Sequence, residues 1–453
     1  MITPELKARI ALTKQEFAQG GIQANKAFGV IRSELMHDIE RIQNRNIARR
    51  ATIPDIKFQD IVDNNVSDVM RVSLRRFGVI VIRGVFEHDN IRNWEEQLDA
   101  YLKDNKYREK LRDAQKPAGK PAEMQDKAGL ADGDGESQAE AQDASEAKYQ
   151  TPLFQTPDEA IAPIFWSKPQ MEMRQHPNLI ATKSFLNQIW RSDPNAAKTV
   201  NLADQAIYID RFMARNPQEY DGAMRLHIPD GGIERWMDPA FRRIYMNLFM
   251  GKFKEYDPWD ASLRPLVRFA SGVNNCSMFR SFLGYASWSN IESKEGTLTC
   301  IPLVKAIGYI LLRNLMSDLD PRYFVGANPG EPLSVISKLY NELYAAQTTI
   351  PDLAPGDTVW WHPDVIQGIE STKRANRLSQ LHFLSATPIC KKNIKYLGSQ
   401  WQCMNIGRSP TDFSDIQMEL SFKERVTTDD ISDQALPMLF PSRKRLEQWG
   451  ISD

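Results

Sequence analysis

The segment RLSQLHFLSAT, residues 377–387, carries the alternation that decides the fold class. Apolar Leu381 and Phe383 alternate with polar residues, and this period of two predicts a half-buried β-strand. Similar runs recur through the second half of the chain between turn signals such as PGD and HPD, at residues 277–289, 296–304 and 357–366. Short strands at such spacing predict an α+β protein with an antiparallel jelly-roll core and added helices.

The region before these strands predicts a helix and one buried strand. Ile31 and Leu35, followed by two further isoleucines, recur at helix spacing with charged residues between them, which predicts an amphipathic helix. The β-branched run FGVIVIRGVF, residues 77–86, predicts a buried strand. We therefore divide the chain into an N-terminal helical segment, residues 1–60, and a jelly-roll domain, residues 61–453.

One stretch inside the second domain differs in composition. Residues 113–148 contain no aromatic and no β-branched residue. Such a sequence cannot bury enough apolar surface to offset the entropy lost on ordering the chain. The composition therefore predicts a disordered insertion between ordered parts of the domain.

The overall composition is that of a globular protein with reduced thiols. Of the 453 residues, 42% are hydrophobic and 25% are charged, and the formal net charge is -1. This balance gives no sign of a nucleic-acid partner or of an anionic membrane. The four cysteines form no CxxC pair and the N-terminus has no apolar signal region, so we expect a cytoplasmic protein.

The segment RLHIPDGGIERW, residues 225–236, is the first candidate functional site. It contains His227, and an acid, Asp230, follows three positions later. Residues i and i+2 of a strand point to the same side, so an acid at i+3 faces away from the histidine unless Pro229 turns the chain. Taken alone, such a pair fits a structural role, half of a metal site, or an acid–base pair.

The chain resembles the YbiU-like proteins, a bacterial and fungal family. That family is similar in turn to the iron(II)- and 2-oxoglutarate-dependent oxygenases, which are built on a double-stranded β-helix. The matching segments run in order across most of the chain and include VIVIRGVF, HIPDGGIERWMDPAFRRIY, FRSFLGY, EGTLTCIPLVKA, PGDTVWWHPDVIQGIE and NIKYLGSQWQCMNIGRSPTDF. The resemblance implies an oxidoreductase, a dioxygenase that oxidises a small-molecule organic substrate.

The resemblance also implies a set of metal ligands. An oxygenase of this class holds iron with two imidazoles and one carboxylate. The resemblance places His227, Asp230 and Gln367 at these three positions. Two positions depart from the family pattern: Pro229 displaces the acid by one residue, and Gln367 replaces the distal histidine. His362 is not assigned as a ligand, because the family has a histidine at that position in addition to the histidine at the ligand position. A glutamine oxygen is a weaker iron ligand than an imidazole, so we expect iron binding to be weak.

The cosubstrate 2-oxoglutarate needs a cation for its distal carboxylate, and the forked guanidinium of arginine suits this role. The resemblance places Arg377 at the usual position, on the strand after the distal ligand. Arg280, in the strand-like run CSMFRSFLGY, is the competing candidate.

Three functions are compatible with these residues. The leading one is an oxidoreductase that uses iron(II) and 2-oxoglutarate. The second is a metal-free or non-catalytic relative that binds a small molecule in the same fold. The third retains enzymatic activity without iron and uses His227 and Asp230 as an acid–base pair. The arrangement of residues 227, 230 and 367 distinguishes them.

Overall fold

The structure is a computed structural model that describes most of the chain. The described residues are 2–20, 24–107, 109–110, 161–162, 164–193, 199–215, 223–267, 278–371, 373–406 and 418–451. The insertion predicted at residues 113–148 and one of the four cysteines, Cys276, lie outside them. The other three cysteines are free and buried.

Helices precede, separate and follow the strands. The α-helices are α1 (Pro4–Gln19), α2 (Ala24–Ile47), α3 (Phe58–Val62), α4 (Asp68–Phe77), α5 (His88–Asp104), α6 (Lys168–Gln175), α7 (Pro177–Asn187), α8 (Glu234–Met237), α9 (Pro239–Ile244), α10 (Met246–Phe249), α11 (Ala306–Arg313), α12 (Asn341–Tyr344), α13 (Lys391–Asn405), α14 (Leu436–Leu439) and α15 (Arg443–Gln448). Short 3-10 helices cover Phe253–Glu255, Arg264–Leu266, Met418–Ser421 and Thr428–Asp430. Within the described ranges, no helix is long and apolar enough to cross a lipid bilayer.

The strands form two sheets. They are β1 (Asp55–Lys57), β2 (Val79–Arg83), β3 (Ile161–Ala162), β4 (Val200–Ala206), β5 (Phe212–Arg215), β6 (Met224–Ile228), β7 (Phe282–Ser287), β8 (Leu298–Ile301), β9 (Leu333–Ser334), β10 (Thr348–Thr349), β11 (Thr358–Trp361), β12 (Ile366–Ile369) and β13 (Ser379–Cys390). The larger sheet has the order β1-β2-β11-β7-β13-β5-β3, with β4 also paired to β13, and the smaller has the order β10-β8-β12-β6-β9. The protein is therefore a mixed α+β protein, as predicted.

Successive strands alternate between the sheets. From β5 to β8, and again from β11 to β13, each strand lies in the sheet opposite to its predecessor. These strands pair antiparallel with their neighbours, whereas β1 pairs parallel with β2. The N-terminal segment thus ends inside the larger sheet, because β1 lies within residues 1–60.

The strand register identifies the inner face of the larger sheet. Phe383 of β13 and Val359 of β11 both stand opposite Tyr285 of β7. Directly paired residues project to the same side of a sheet, so these three share one face. Tyr285 and Val359 belong to the same hydrophobic core as Leu298 and Cys300 of the smaller sheet. The two sheets therefore pack these faces against each other.

The same argument places the candidate site between the sheets. Gln367 of β12 stands opposite His227 of β6 and opposite Cys300 of β8. Since Cys300 faces the shared core, His227 and Gln367 project into the space between the sheets as well. The opposite face of the smaller sheet belongs to a second hydrophobic core, which includes Ile31 and Leu35 of α2 and so confirms the amphipathic helix predicted there.

The prediction that residues 377–387 form a half-buried strand was wrong in one respect. The strand exists as β13, but its polar side is also buried: Gln380 is 6% exposed and His382 is fully buried. The reason is a second layer of helices on that side. Gln170 and Arg174 of α6 reach His382 Nε2, at 3.1 and 3.3 Å.

Candidate functional site

Two neighbouring strands bring His227 and Gln367 into direct contact. Gln367 Nε2 lies 3.3 Å from His227 Nε2, and the other ring nitrogen, Nδ1, lies 2.9 Å from the carbonyl oxygen of Arg225. A carbonyl can only accept, so Nδ1 carries the proton and Nε2 offers a lone pair. The side-chain amide of Gln367 therefore donates to Nε2, the atom that a metal would need.

His227 is held in the neutral form. Its side chain is buried, with 4% exposure, and burial lowers the pKa of His227 to about 4, although the Arg225 carbonyl and the charge of Asp230 oppose the shift. A neutral imidazole can ligate a metal or accept a proton. Its low pKa makes it a weak base near neutral pH, which disfavours the acid–base pair.

The displaced acid is explained by a turn directly after β6. The strand ends at Ile228, and Asp230 has a φ of 57°, in the left-handed region. Gly231 follows with a φ of 99°. The turn sends the Asp230 carboxylate to Arg280, whose guanidinium pairs with both carboxylate oxygens. The chain thus turns at Asp230 and Gly231, and the acid meets a guanidinium.

Arg235 of α8 fixes this turn from inside the protein. Its guanidinium donates to the carbonyl oxygens of Pro229 at 2.7 Å, Gly231 at 2.8 Å and Asp230 at 3.2 Å. Three charge-assisted hydrogen bonds from one buried side chain leave the turn little freedom. The carboxylate of Asp230 is therefore held in its position from the backbone side.

A buried carboxylate, that of Asp364, forms ion pairs with Arg235 and Arg264. It accepts from Arg264 at 2.6 Å, Arg235 at 3.2 Å and the Tyr245 hydroxyl at 2.8 Å. Burial by itself raises the pKa of Asp364, but Arg264 and Arg235 outweigh it and hold that pKa well below its usual range. Asp364 is therefore ionised, and it links the turn before β12 to the turn after β6.

A small cavity of about 40 Å³ lies beside Asp230. Its charged lining residues are Asp230, Asp364, Arg235, Arg264 and Arg280, and Phe241, Ile244, Val267, Met278 and Phe279 supply most of the apolar lining. Three guanidinium groups and two carboxylates line the cavity, and Asp210, whose carboxyl pKa is raised by burial, also interacts with Arg280. The lining side chains by themselves carry one excess positive charge. In a site largely screened from water, this excess favours an anion.

The histidine of the HPD turn has a structural role. His362 is fully buried, its Nε2 donates to the Pro258 carbonyl at 3.0 Å, and its Nδ1 accepts from the Asp364 amide at 3.0 Å. Its ring stacks on Trp190 with 4.7 Å between ring centroids. Both ring nitrogens therefore take part in hydrogen bonds within the protein.

The structure separates the two candidate arginines. Arg280 precedes β7, lines the cavity and pairs with Asp230. Arg377 precedes β13, its side chain is 38% exposed, and it pairs with Glu292 and Glu295. Arg377 does not line the cavity beside Asp230, so its assignment as an anchor for 2-oxoglutarate stays a prediction.

The residues present do not fit an iron centre. The lone pair of His227 Nε2 already accepts from Gln367, and Asp230 is already neutralised by Arg280. In the part of the chain that the structure describes, no three His, Cys, Asp or Glu side chains form a group that could hold a metal ion. The site is a network of hydrogen bonds and ion pairs in which Arg280 provides the positive charge next to Asp230.

Sequence reasoning missed Arg264 and Asp364, and it did not predict the contacts of Arg235. Asp364 lies in the HPD turn and Arg235 in the segment ERW, which the sequence marks only as a turn and as a stretch after two glycines. The sequence did contain a signal, because Arg235 lies inside the candidate segment 225–236 and Asp364 lies three residues before Gln367. The ion pair between Arg235 and Asp364 joins residues 129 positions apart, so no local sequence pattern predicts it.

The chain as a whole matches the Gig2-like family over residues 4–439, so it belongs to that family. An uncharacterized protein of Escherichia coli strain K12, YbiU, is 29% identical over 384 residues, which cover 84% of each chain. The predicted resemblance to the YbiU-like proteins is therefore confirmed.

Two solved structures have the same overall fold. A protein of Salmonella typhimurium LT2 named "Putative Oxidoreductase" is 26% identical, with a TM-score of 0.83 over 97% of this chain and 98% of that chain. The product of GlcNAc Inducible Gene 2 of Candida albicans is 22% identical, with a TM-score of 0.71 over 98% of this chain and 89% of that chain. The second likeness concerns the fold alone.

Proposed function

We propose that the protein binds a small carboxylate-bearing molecule without iron, on a jelly-roll scaffold of the kind used by iron(II)- and 2-oxoglutarate-dependent oxygenases. The observation that carries the proposal is the pairing of Asp230 with Arg280. A guanidinium takes the position beside the acid that a metal ion takes in such an oxygenase. The ligand site is the cavity lined by Arg235, Arg264 and Arg280.

Strand order supports the jelly-roll part of the proposal. A double-stranded β-helix places successive strands in opposite sheets, and β5 to β8 and β11 to β13 follow that alternation. The candidate residues lie between the two sheets or at the turns that join them. This is the usual location of ligand sites in such barrels.

Charge and burial support the anionic ligand. The side chains of Arg280 and Asp230 are each only 9% exposed, and Arg235 and Arg264 are 2% and 7% exposed. Breaking a buried ion pair by removing one partner typically costs about 3–5 kcal/mol. An iron ion that captured Asp230 would have to offset that cost, whereas a carboxylate can add to the cluster and satisfy its excess positive charge.

An oxidoreductase that uses iron(II) and 2-oxoglutarate is the second candidate. Two observations favour it: His227 is neutral, and the Salmonella relative has a name that includes oxidoreductase. When bound, iron(II) and 2-oxoglutarate would activate dioxygen, which is the oxidant for a C–H bond of a small substrate. The candidate requires that Gln367 leave His227 Nε2 and that Arg280 release Asp230.

Calorimetry separates the two candidates. Metal-stripped protein in the presence of EDTA is titrated with 2-oxoglutarate, and the titration is repeated without oxygen after iron(II) is added in place of EDTA. We expect binding of equal affinity in both cases. Arg280→Lys should weaken binding, because an ammonium cannot form the forked contact. Arg377→Lys is the surface control and should leave it unchanged. Binding that appears only with iron would favour the oxygenase and overturn the metal-free proposal.

A further inference from the structure

A second and larger cavity, of about 680 Å³, lies at the other end of the smaller sheet. Its lining includes Met224, the first residue of β6, and Ile369, the last residue of β12, which stand opposite each other. Asp230 follows β6 and Asp364 precedes β12, so both lie beyond the opposite end of these strands. The length of β6, about 13 Å at a rise of about 3.3 Å per residue, separates the two ends. The two cavities share no lining residue.

The charges around this second cavity, the basic cavity, are not balanced. Its single acidic lining residue is Glu370, and its cationic lining residues are Arg225, Lys294, Lys373 and Arg374. The Glu370 carboxylate accepts hydrogen bonds from Thr349 Oγ1 and, at 2.7 Å, from the backbone N–H of Lys294. Both donors are neutral. Four cations and one carboxylate therefore leave three excess positive charges on the described lining, in a chain whose formal net charge is -1.

Three of these cations have no acidic partner among the residues that the structure describes. Arg225, Lys294 and Arg374 are exposed, and none of them forms an ion pair there. Arg322 and Arg377, by contrast, each pair with nearby carboxylates. Cations that converge on one concavity without a counter-charge attract an anion from solution.

The wall of the basic cavity is partly apolar. Leu226 and Val335 are buried, and the Tyr344 hydroxyl donates to the Val335 carbonyl at 2.7 Å, which fixes the tyrosine ring at the wall. Gln347 Nε2 donates to Thr299 Oγ1 at 3.0 Å on the polar part of the lining. Small-molecule sites typically enclose about 300–1,000 Å³, so the basic cavity has room for an organic group beside a charged one.

We propose that the basic cavity binds the diphosphate group of a small molecule. A carboxylate supplies one negative charge and a phosphate monoester about 1.5 to 2, so either leaves part of the excess positive charge without a partner. A diphosphate spreads more charge over two groups of oxygens. The guanidinium of Arg225 can bind such oxygens through a forked contact, and the ammonium of Lys294 can bind them as a point charge. The site is separate from the cavity beside Asp230, so the inference does not depend on carboxylate binding there.

Pyrophosphate and phosphate are the probes that test this site. Protein in the presence of EDTA is titrated with each by calorimetry at low ionic strength, because salt screens exposed charges. We expect one pyrophosphate per chain, bound at least about tenfold more tightly than phosphate.

Charge-removing variants locate the bound anion. Arg225→Gln and Lys294→Gln should each weaken pyrophosphate binding about fivefold, the loss of one solvent-screened charge contact, and the double variant about 25-fold. Arg322→Gln is the matched control, because Arg322 is exposed, pairs with Asp320 and does not line the basic cavity. It should leave the affinity unchanged. All these side chains are exposed, so the melting temperature of the ligand-free protein should not change in any variant.

Arg280→Lys separates this inference from the proposed function. It changes the cavity beside Asp230 and should leave pyrophosphate binding intact. If Arg280→Lys weakens pyrophosphate binding while Arg225→Gln does not, the anion binds beside Asp230 and the inference is overturned. Equal affinities for pyrophosphate and phosphate, no binding of either, or an equal loss in Arg322→Gln would also overturn it, since the basic lining would then be a solvated surface.

Discussion

Replacing Gln367 by histidine should strengthen iron(II) binding, which we expect to be weak in the wild-type protein. In wild type, Gln367 Nε2 lies 3.3 Å from His227 Nε2. Two nitrogens that each lie about 2.1 Å from one metal ion, at right angles to each other, are about 3.0 Å apart. The two strands therefore already hold position 367 close to the separation that a pair of imidazole ligands needs.

The expected gain can be bounded. Gln367→His replaces an amide that blocks Nε2 by a second strong nitrogen donor. Losing even a group that only supports a ligand typically costs about 10–100-fold in metal affinity, so gaining a ligand should improve iron(II) affinity by at least tenfold. Asp230 limits the gain, because Arg280 competes for its carboxylate.

The assay is anaerobic titration of iron(II) against a competing chelator. A matched control is available, since Gln170 Nε2 lies 3.1 Å from His382 Nε2 in a second buried Gln–His pair. Arg174 lies 3.3 Å from the same nitrogen and repels a cation, so Gln170→His should bind no additional iron. The reasoning is refuted if wild type already binds one equivalent of iron tightly, or if Gln367→His and Gln170→His gain equally.

Three further predictions concern the stability and organisation of the chain. Asp364→Asn should destabilise the protein by about 3–5 kcal/mol in urea unfolding, because it leaves Arg264 and Arg235 buried without a full counter-charge, whereas an exposed pair would lose at most about 1 kcal/mol. Burial, with a smaller contribution from Arg174, lowers the pKa of Lys183 from 10.5 to about 7. The unfolded chain therefore binds a proton that the folded chain lacks between these pH values, so stability should rise with pH above 7 by up to about 1.4 kcal/mol per unit, and Lys183→Met should abolish that rise in urea unfolding at pH 7, 8 and 9. Limited proteolysis should cut first within residues 113–148 and leave two associated fragments, and a protease-resistant insertion would contradict this.

Local periodicity predicted much of the fold. The alternation around Leu381 and Phe383 identified β13, and the helical repeat at Ile31 and Leu35 identified the buried face of α2. Each pattern shows which side of a single helix or strand packs against a hydrophobic core, and this depends only on residues close together in the sequence. The covering of the polar side of β13 by α6 could not be predicted, because it depends on a contact between His382 and residues more than two hundred positions earlier.

The candidate site divides in the same way. The sequence by itself singled out His227 and the acid three residues later, and the family resemblance added Gln367. Only the tertiary structure decided what these groups contact. The Asp230 carboxylate pairs with Arg280, fifty positions away. Asp230 adopts a left-handed backbone conformation, and Arg235 holds this turn by hydrogen bonds to its carbonyl oxygens. Ion pairs between distant segments leave no periodic trace in a sequence, so whether an acid faces a metal or a guanidinium is settled by packing.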